Sequence, residues 1–156
     1  MTDNIQRILD LGVAGINIED TEGEEVYMEK LTCIKNYLEK TGQKLFINAR
    51  TDGFLLKLPS PLETTLKRAK RYADAGADGL FVPGVQEKDI IKEICSASTL
   101  PVNVVAVSKL SSLETLTECG VKRVSMAVLL YKATYNQLSN IASEVLKENS
   151  FAVLNA

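Results

Sequence analysis

Short apolar runs alternate along the chain with longer segments whose apolar residues recur every three or four positions. That pattern predicts strands interleaved with amphipathic helices. The clearest run is Leu45-Phe46-Ile47-Asn48-Ala49-Arg50-Thr51-Asp52-Gly53-Phe54, which leaves a Gly-Gln-Lys turn and ends in Asn48, Arg50 and Asp52. A buried parallel strand delivers charged groups to a site in this way, at its C-terminal end. Gly15-Ile16-Asn17-Ile18-Glu19-Asp20 has the same form, a β-branched run followed at once by two carboxylates. Further strands are predicted at Gly79 to Val82, Val102 to Val107 and Lys122 to Met126. The first helix starts at Thr2 or Asp3 as cap and is closed by Gly12. The next four run from about Glu25 to Lys40, Leu62 to Ala75, Glu87 to Ala97, and Ser112 to Gly120. The last, from about Thr134 to Glu148, places Leu138, Ile141, Ala142, Val145 and Leu146 on one side. Gly53 to Pro61 carries Pro59 and Pro61 and reads either as a lid over the strand ends or as a packed loop.

Three segments share one plan: Leu11-Gly12-Val13-Ala14-Gly15-Ile16, Ala75-Gly76-Ala77-Asp78-Gly79-Leu80 and Cys119-Gly120-Val121-Lys122-Arg123-Val124. Each is a helix end, a glycine, a small residue and a strand, so a βα unit recurs. Five strands alternating with six helices predict an α/β fold with a parallel sheet. The reading is a single domain over residues 1–156 forming part of a TIM (β/α)8 barrel. A closed barrel needs about 250 residues, so about three βα units are missing and are expected before Met1. Either the sheet is open or this is the C-terminal part of a barrel. The exposed edges of a partial barrel predict association.

Composition narrows the function. With 156 residues, 46% hydrophobic and 24% charged, the chain reads as a globular protein with a substantial core. The net charge of -2 with interspersed signs gives no basic face for nucleic acid and favours a small-molecule partner. No apolar run is long enough for a membrane span and the N-terminus lacks the layout of a signal peptide, so a cytoplasmic protein is expected. Cys33, Cys95 and Cys119 are odd in number and widely spaced; each reads as a reduced thiol filling a gap in the core. Histidine is absent. That removes Ser-His-Asp and Cys-His pairs and leaves oxygen ligands for any metal, which favours Mg2+ or Mn2+ over zinc.

Taken together, Gly15 to Asp20, Ile47-Asn48-Ala49-Arg50-Thr51-Asp52, and Ala75 through Phe81-Val82-Pro83-Gly84 resemble the phosphoenolpyruvate mutase and isocitrate lyase superfamily, as do Arg123-Val124-Ser125 and the long final helix. The resemblance covers essentially the whole chain, from the fourth barrel strand onward. It implies a magnesium-dependent βα barrel that makes or breaks C–C or P–C bonds of 2-oxo or 2-hydroxy carboxylates through an enolate-like intermediate. It also implies a homo-oligomer in which the last helix packs on a neighbouring subunit.

By that resemblance Arg50 contacts substrate. Its guanidinium fork suits a carboxylate or a developing enolate oxygen; the alternative is a structural ion pair with Asp20 or Asp52. Glu19 matches the glutamate that reaches magnesium, and otherwise is a capping or surface carboxylate. Asp20 and Asp52 are supporting residues that orient Arg50. Asn48 and Asn103 are candidate donors to substrate oxygens, with structural amides as the alternative, and Ser125 is a candidate phosphate ligand. Lys109 reads as a loop lysine, with Schiff-base formation as the chemical option. The metal-binding aspartates and serine-bearing loop of the superfamily belong to strands not in this chain. No Lys-Lys/Arg-Cys-Gly-His segment lies between Asp20 and Leu31, Cys33 sits inside a helix, and Pro83-Gly84 stands where the lyases have a glutamate. The mutase or decarboxylase-like branch is therefore favoured over classical isocitrate cleavage. The competing expectation is a truncated, non-catalytic α/β module that oligomerises.

Overall fold

Five strands, each preceded by a helix, form one parallel sheet in the computed structural model, which describes residues 1–107 and 112–155. The order is α1 (Thr2–Asp10), β1 (Gly15–Glu19), α2 (Glu24–Thr41), β2 (Phe46–Arg50), α3 (Pro61–Asp74), β3 (Gly79–Val82), α4 (Lys88–Ala97), β4 (Val102–Val105), α5 (Leu113–Glu118), β5 (Arg123–Ser125), α6 (Leu129–Glu148) and a 3-10 turn, Ala152–Asn155. The strands lie side by side in chain order. Parallel crossovers are right-handed, so a sheet that never reverses its order carries all its crossover helices on one face. This is the winding of a βα barrel, as expected. The chain divides into two compact units, Met1–Ser125 and Met126–Ala156.

In the first unit, alternate strand residues separate the two faces of the sheet. Ile47, Ala49, Leu80, Val82, Val102 and Val104 are buried in one core with Leu31, Ile34 and Leu38 of α2, Ile91 and Ile94 of α4, and Leu116 of α5. Each Val, Leu or Ile side chain among them contributes about 1.5–3 kcal/mol on burial. The opposite face carries Asn17, Glu19, Asn48, Arg50, Phe81 and Asn103. The helix-to-strand turns of the repeated unit use glycines in the left-handed region, with φ of 74°, 88° and 92° at Gly12, Gly76 and Gly120.

Several local expectations shift. The cap of α1 is Met1, without a side-chain bond, whereas Ser112 Oγ does accept from Thr115 N, at 3.3 Å. The sequence pattern predicts that α3 buries Leu62, Leu66, Ala69 and Ala73; its fully buried residues are Thr65, Ala69 and Tyr72. Leu62 and Leu66 are partly buried and pack against the core, while Arg68 Nη1 and Tyr72 OH meet partners at the strand ends. Cys119 is buried, but Cys33 is exposed, because it lies off the Tyr27-Leu31-Ile34-Leu38 row that α2 buries. Gly53 to Pro61 begins as a packed loop, with Leu56 N donating to Asp52 O at 2.8 Å and Leu58 N to Gly53 O at 2.9 Å.

In the second unit α6 begins at Leu129, five residues before Thr134. The Thr134 hydroxyl donates back to Leu130 O at 3.0 Å within the helix. No residue of α6 is buried, and Leu138 and Leu146 are 60% and 82% exposed. Its apolar stripe therefore exists without the burial that the pattern predicts.

The loop after β2 meets the loop after β3 at Gly84, whose φ is +87° and where a Cβ would lie 2.8 Å from Leu55 N. Backbone cannot yield there as a side-chain tip can. Gly84→Ala is expected to cost about 1–3 kcal/mol of stability in urea denaturation. A loss below about 0.5 kcal/mol, the range of an ordinary surface substitution, would show that the two loops do not abut as described.

Candidate functional site

One row of residues crosses the inner face of the sheet: Glu19 pairs with Arg50, Arg50 with Phe81, Phe81 with Asn103, and Asn103 with Arg123. In-register parallel neighbours share a face, so side chains two residues apart on each strand form successive layers. One layer nearer the strand N-termini are Asn17, Asn48 and Gly79.

Arg50 is the centre of the upper layer. Its Nε donates to Asp52 Oδ1 at 2.8 Å and its Nη1 to Glu19 Oε1 at 2.7 Å. The guanidinium also lies 5.7 Å from the Phe81 ring centroid, within cation–π range. Burial opposes its charge, but the hydrogen bond and charge of Asp52, with the charges of Glu19 and Asp20, outweigh that and raise its pKa. The two clamps differ: the Asp52 side chain is 2% exposed and that of Glu19 46%. Asp52 is a fixed partner, while Glu19 faces the open mouth.

Asp20 does not reach Arg50. Its Oδ1 accepts from Asp52 N at 3.2 Å, and its Oδ2 accepts from Tyr72 OH at 2.8 Å and pairs with Arg68 Nη1 at 2.7 Å. Arg68 Nη1 also donates to Thr51 Oγ1 at 3.2 Å. Tyr72 stacks on Tyr27, with centroids 4.3 Å apart. Burial, followed by the charge of Asp20, pushes both phenols well above their ordinary value.

The candidate amides are already paired within the chain. Asn48 Nδ2 donates to Asn17 Oδ1 at 2.8 Å, one layer below Arg50. Asn103 and Ser125 bond each other, Nδ2 to Oγ at 3.1 Å and Oγ to Oδ1 at 3.2 Å. Gly79 leaves room for this layer, since a Cβ there would lie 2.9 Å from Asn48 Oδ1. Below, Gly15, Asn17, Phe46, Asn48 and Arg123 line a polar hollow of about 270 Å³. Lys109 lies outside the described residues. The structure thus brings Glu19, Arg50 and Asp52 together, places Asp20 behind them, and sets Asn48 in a separate layer.

Arg68, Tyr72, Thr51 and Phe81 escaped the sequence reading. The available signal was the spacing Thr65-Arg68-Tyr72, which puts three polar-tipped side chains on one side of α3.

Among the described residues, no three His, Cys, Asp or Glu side chains converge as a metal site. Magnesium takes one or two carboxylates together with waters and substrate oxygens. Glu19 fits as one such ligand, being exposed at the mouth; Asp52 and Asp20 are committed to cations of the protein. Among the described residues, Glu19 is thus the one candidate for a magnesium ligand, and by itself it does not make a site.

The sequence model of the phosphoenolpyruvate phosphomutase family matches residues 1–146, and the chain belongs to that family. An uncharacterized protein of Mycobacterium tuberculosis is 37% identical over 127 residues, which are 81% of this chain and 49% of that protein. An oxaloacetate decarboxylase of Pseudomonas fluorescens is 31% identical over 144 residues, covering 81% of this chain and 48% of the enzyme. A candidate phosphonomutase from Burkholderia cenocepacia has a crystal structure that matches with a TM-score of 0.82 at 34% identity, over 92% of this chain and 64% of that one. A phosphonopyruvate hydrolase crystallised with oxalate and Mg++ shares the fold, with a TM-score of 0.72 at 15% identity over 96% of this chain and 58% of that one. The chain spans about half the length of the curated relatives it matches. Among the described residues, no helix is long and apolar enough to cross a membrane.

The raised phenol pKa values make stability fall at high pH. A group that holds its proton more tightly when folded contributes stability that is full below its unfolded pKa, about 10 for tyrosine, and is lost as the pH rises past it. Each buried phenol is expected to remove up to about 1.4 kcal/mol per pH unit above pH 10. Thermal unfolding from pH 9 to 11.5 should show Tyr72→Phe less alkali-sensitive than the wild type. Parallel curves would mean that Tyr72 is not buried against Asp20.

Proposed function

We propose that this chain carries the anion-binding arginine of a magnesium-dependent lyase or mutase acting on a 2-oxo or 2-hydroxy carboxylate, in the mutase or decarboxylase-like branch of its superfamily. The observation that carries the reading is the Arg50 guanidinium, fixed at Nε by buried Asp52 and capped at Nη1 by displaceable Glu19, at the C-terminal ends of two adjacent parallel strands. Ligands of βα barrels bind at that end. Identity to an oxaloacetate decarboxylase supports the substrate class.

Arg50 donates to a ligand carboxylate or to the oxygen on which charge develops. For oxaloacetate, the bond from C3 to the departing carboxylate breaks, carbon dioxide leaves, and the electron pair enters the enolate of pyruvate, which then takes a proton. A donor set held in place beforehand needs no reorganisation as that charge forms. Glu19 is the residue of this chain that would face magnesium, which when bound polarises the 2-oxo group as a Lewis acid. Asn48, Asn103 and Ser125 shape the inner face; Asn48 exchanges its bond to Asn17, and Asn103 and Ser125 their mutual bonds, for ligand oxygens. A cytoplasmic, small-molecule enzyme is the corresponding setting.

Turnover of oxaloacetate and phosphonopyruvate with and without magnesium tests this. Arg50→Met is expected to lower kcat/KM at least about tenfold, the value of one charge-assisted hydrogen bond, and Glu19→Gln to raise the magnesium concentration required. Turnover indifferent to magnesium or to Arg50→Met would overturn the proposal.

A second reading, a non-catalytic module that oligomerises, is favoured by the incomplete set of metal ligands among the described residues. Calorimetric titration of the chain with magnesium and oxalate separates the two, since measurable joint binding counts against the module. Both readings include a homo-oligomer in which α6 is exchanged. Its exposed Leu138 and Leu146, with Phe151 75% and Leu154 58% exposed in the same unit, support that arrangement. Light scattering is expected to give a mass above one chain, and a well-behaved monomer would remove the exchange.

A further inference from the structure

We propose that Arg68 is a positioning residue for Arg50: through Asp20 and Thr51 it fixes the Asp52 carboxylate that holds Arg50 Nε. The inference rests on the reading of Arg50 as the ligand-binding cation and names the residue that makes it competent.

The geometry is a chain of short contacts. Arg50, Thr51 and Asp52 are the last residue of β2 and the first two beyond it, where the ladder ends and backbone is no longer held on both sides. Thr51 N still bonds to Phe81 O, at 2.9 Å, but Asp52 N bonds to a side chain, Asp20 Oδ1, at 3.2 Å. Asp20 has only 1% of its side chain exposed, so its charge requires a partner. That partner is Arg68 Nη1 at 2.7 Å, and the same nitrogen donates to Thr51 Oγ1 at 3.2 Å. One cation on α3 therefore pins both residues that follow Arg50. Tyr72, one helical turn on, adds its bond to Asp20 Oδ2 at 2.8 Å.

Arg68 cannot serve as a ligand contact from this place. Its side chain is 11% exposed and lies behind Asp20, on the helix side of the strand ends, with Nε buried and without a hydrogen-bond partner, 3.6 Å from Glu24 Oε2. Its influence on a ligand has to pass through Asp52 and Arg50. Without Arg68, buried Asp20 loses its ion-pair partner and Thr51 its donor. Asp52 is then free to drift, and a guanidinium misplaced by about 1 Å loses much of its benefit to a bound oxyanion.

The test has two independent readouts. The first needs no ligand: the Arg50 Nε–H resonance in nitrogen–proton NMR, identified by its loss in Arg50→Lys, reports the bond to Asp52. Arg68→Met is expected to shift it and speed its exchange with water. Arg68→Lys, whose ammonium can still bridge Asp20 and Thr51, should largely restore it. Leu38→Ala, a core cavity on α2, should lower the Tm without moving it. The second readout is oxalate affinity in the presence of magnesium, expected to fall about tenfold in Arg68→Met and to be unaffected by Arg68→Met in an Arg50→Met background. An unmoved Arg50 resonance in folded Arg68→Met overturns the proposal, as does an equal loss of affinity with and without Arg50. Absence of oxalate binding by the wild type would instead sink the functional reading, while the resonance would still decide the positioning role.

Discussion

Removing charge from water at the carboxyl ends of β1 and β2 is the constraint on which the rest depends. Arg50 retains 22% of its side-chain exposure, Arg68 11%, and Asp20 and Asp52 1% and 2%. An unpaired charge at such depth costs several kcal/mol, so these groups persist only as a matched set. Matching them dictates local structure. The connection from β1 to α2 is short enough to keep Asp20 against the end of β2, and α3 turns Tyr72 fully inward while Leu62 and Leu66 pack at the edge of the core. The apolar core is built around that demand: Tyr27 and Tyr72 pack with their rings tilted 42° to each other, and the Tyr72 hydroxyl reaches the carboxylate.

Winding the sheet in one direction gives the site its room. All crossover helices lie on one face, so none of them covers the other, which can be lined with amides, an arginine and carboxylates. Burial on the helix side supplies the cohesion, while the inner face satisfies its polar groups in pairs, Asn17 with Asn48 and Asn103 with Ser125. Such pairing lets a polar surface persist at small cost. It also offers ready donors to a ligand that replaces one partner of a pair.

Strand positions, helix positions and the end of the sheet that carries charge were all legible in the sequence, because each follows from local periodicity and punctuation. The convergence of Glu19 with Arg50 was legible too, as both end short β-branched runs. What local pattern does not contain is register and rotation. Three carboxylates flank Arg50 in sequence or across the sheet, and only the pairing of β1 with β2 decides that Glu19 and Asp52 take its nitrogens while Asp20 faces backward. The buried face of α3 was read only in part, with Ala69 buried and Leu62 and Leu66 packed against the core, but Arg68 reads as solvent-facing until its partner is known. The last helix shows the limit of boundary reading, since α6 begins at Leu129, five residues before the expected Thr134, whose hydroxyl bonds within the helix to Leu130 O. Cys33 shows that a cysteine is a poor indicator of core when it lies off the buried row of its helix.

The balance of charge at the mouth bears on the proposed chemistry. Behind it, Asp20 and Arg68 offset each other. In front, one guanidinium is shared by two carboxylates, leaving surplus negative charge where an anionic oxyacid is proposed to bind. Nε and Nη1 of Arg50 already donate to Asp52 and Glu19, so a ligand carboxylate that also needs the Glu19 bond would displace Glu19, the exposed clamp, rather than the buried Asp52. The displaced Glu19 then needs a cation of its own, and a hard divalent ion that also accepts the oxyacid's oxygens meets both requirements. In the proposed site, Glu19 would then couple occupation by the anion to occupation by the cation through a single side chain.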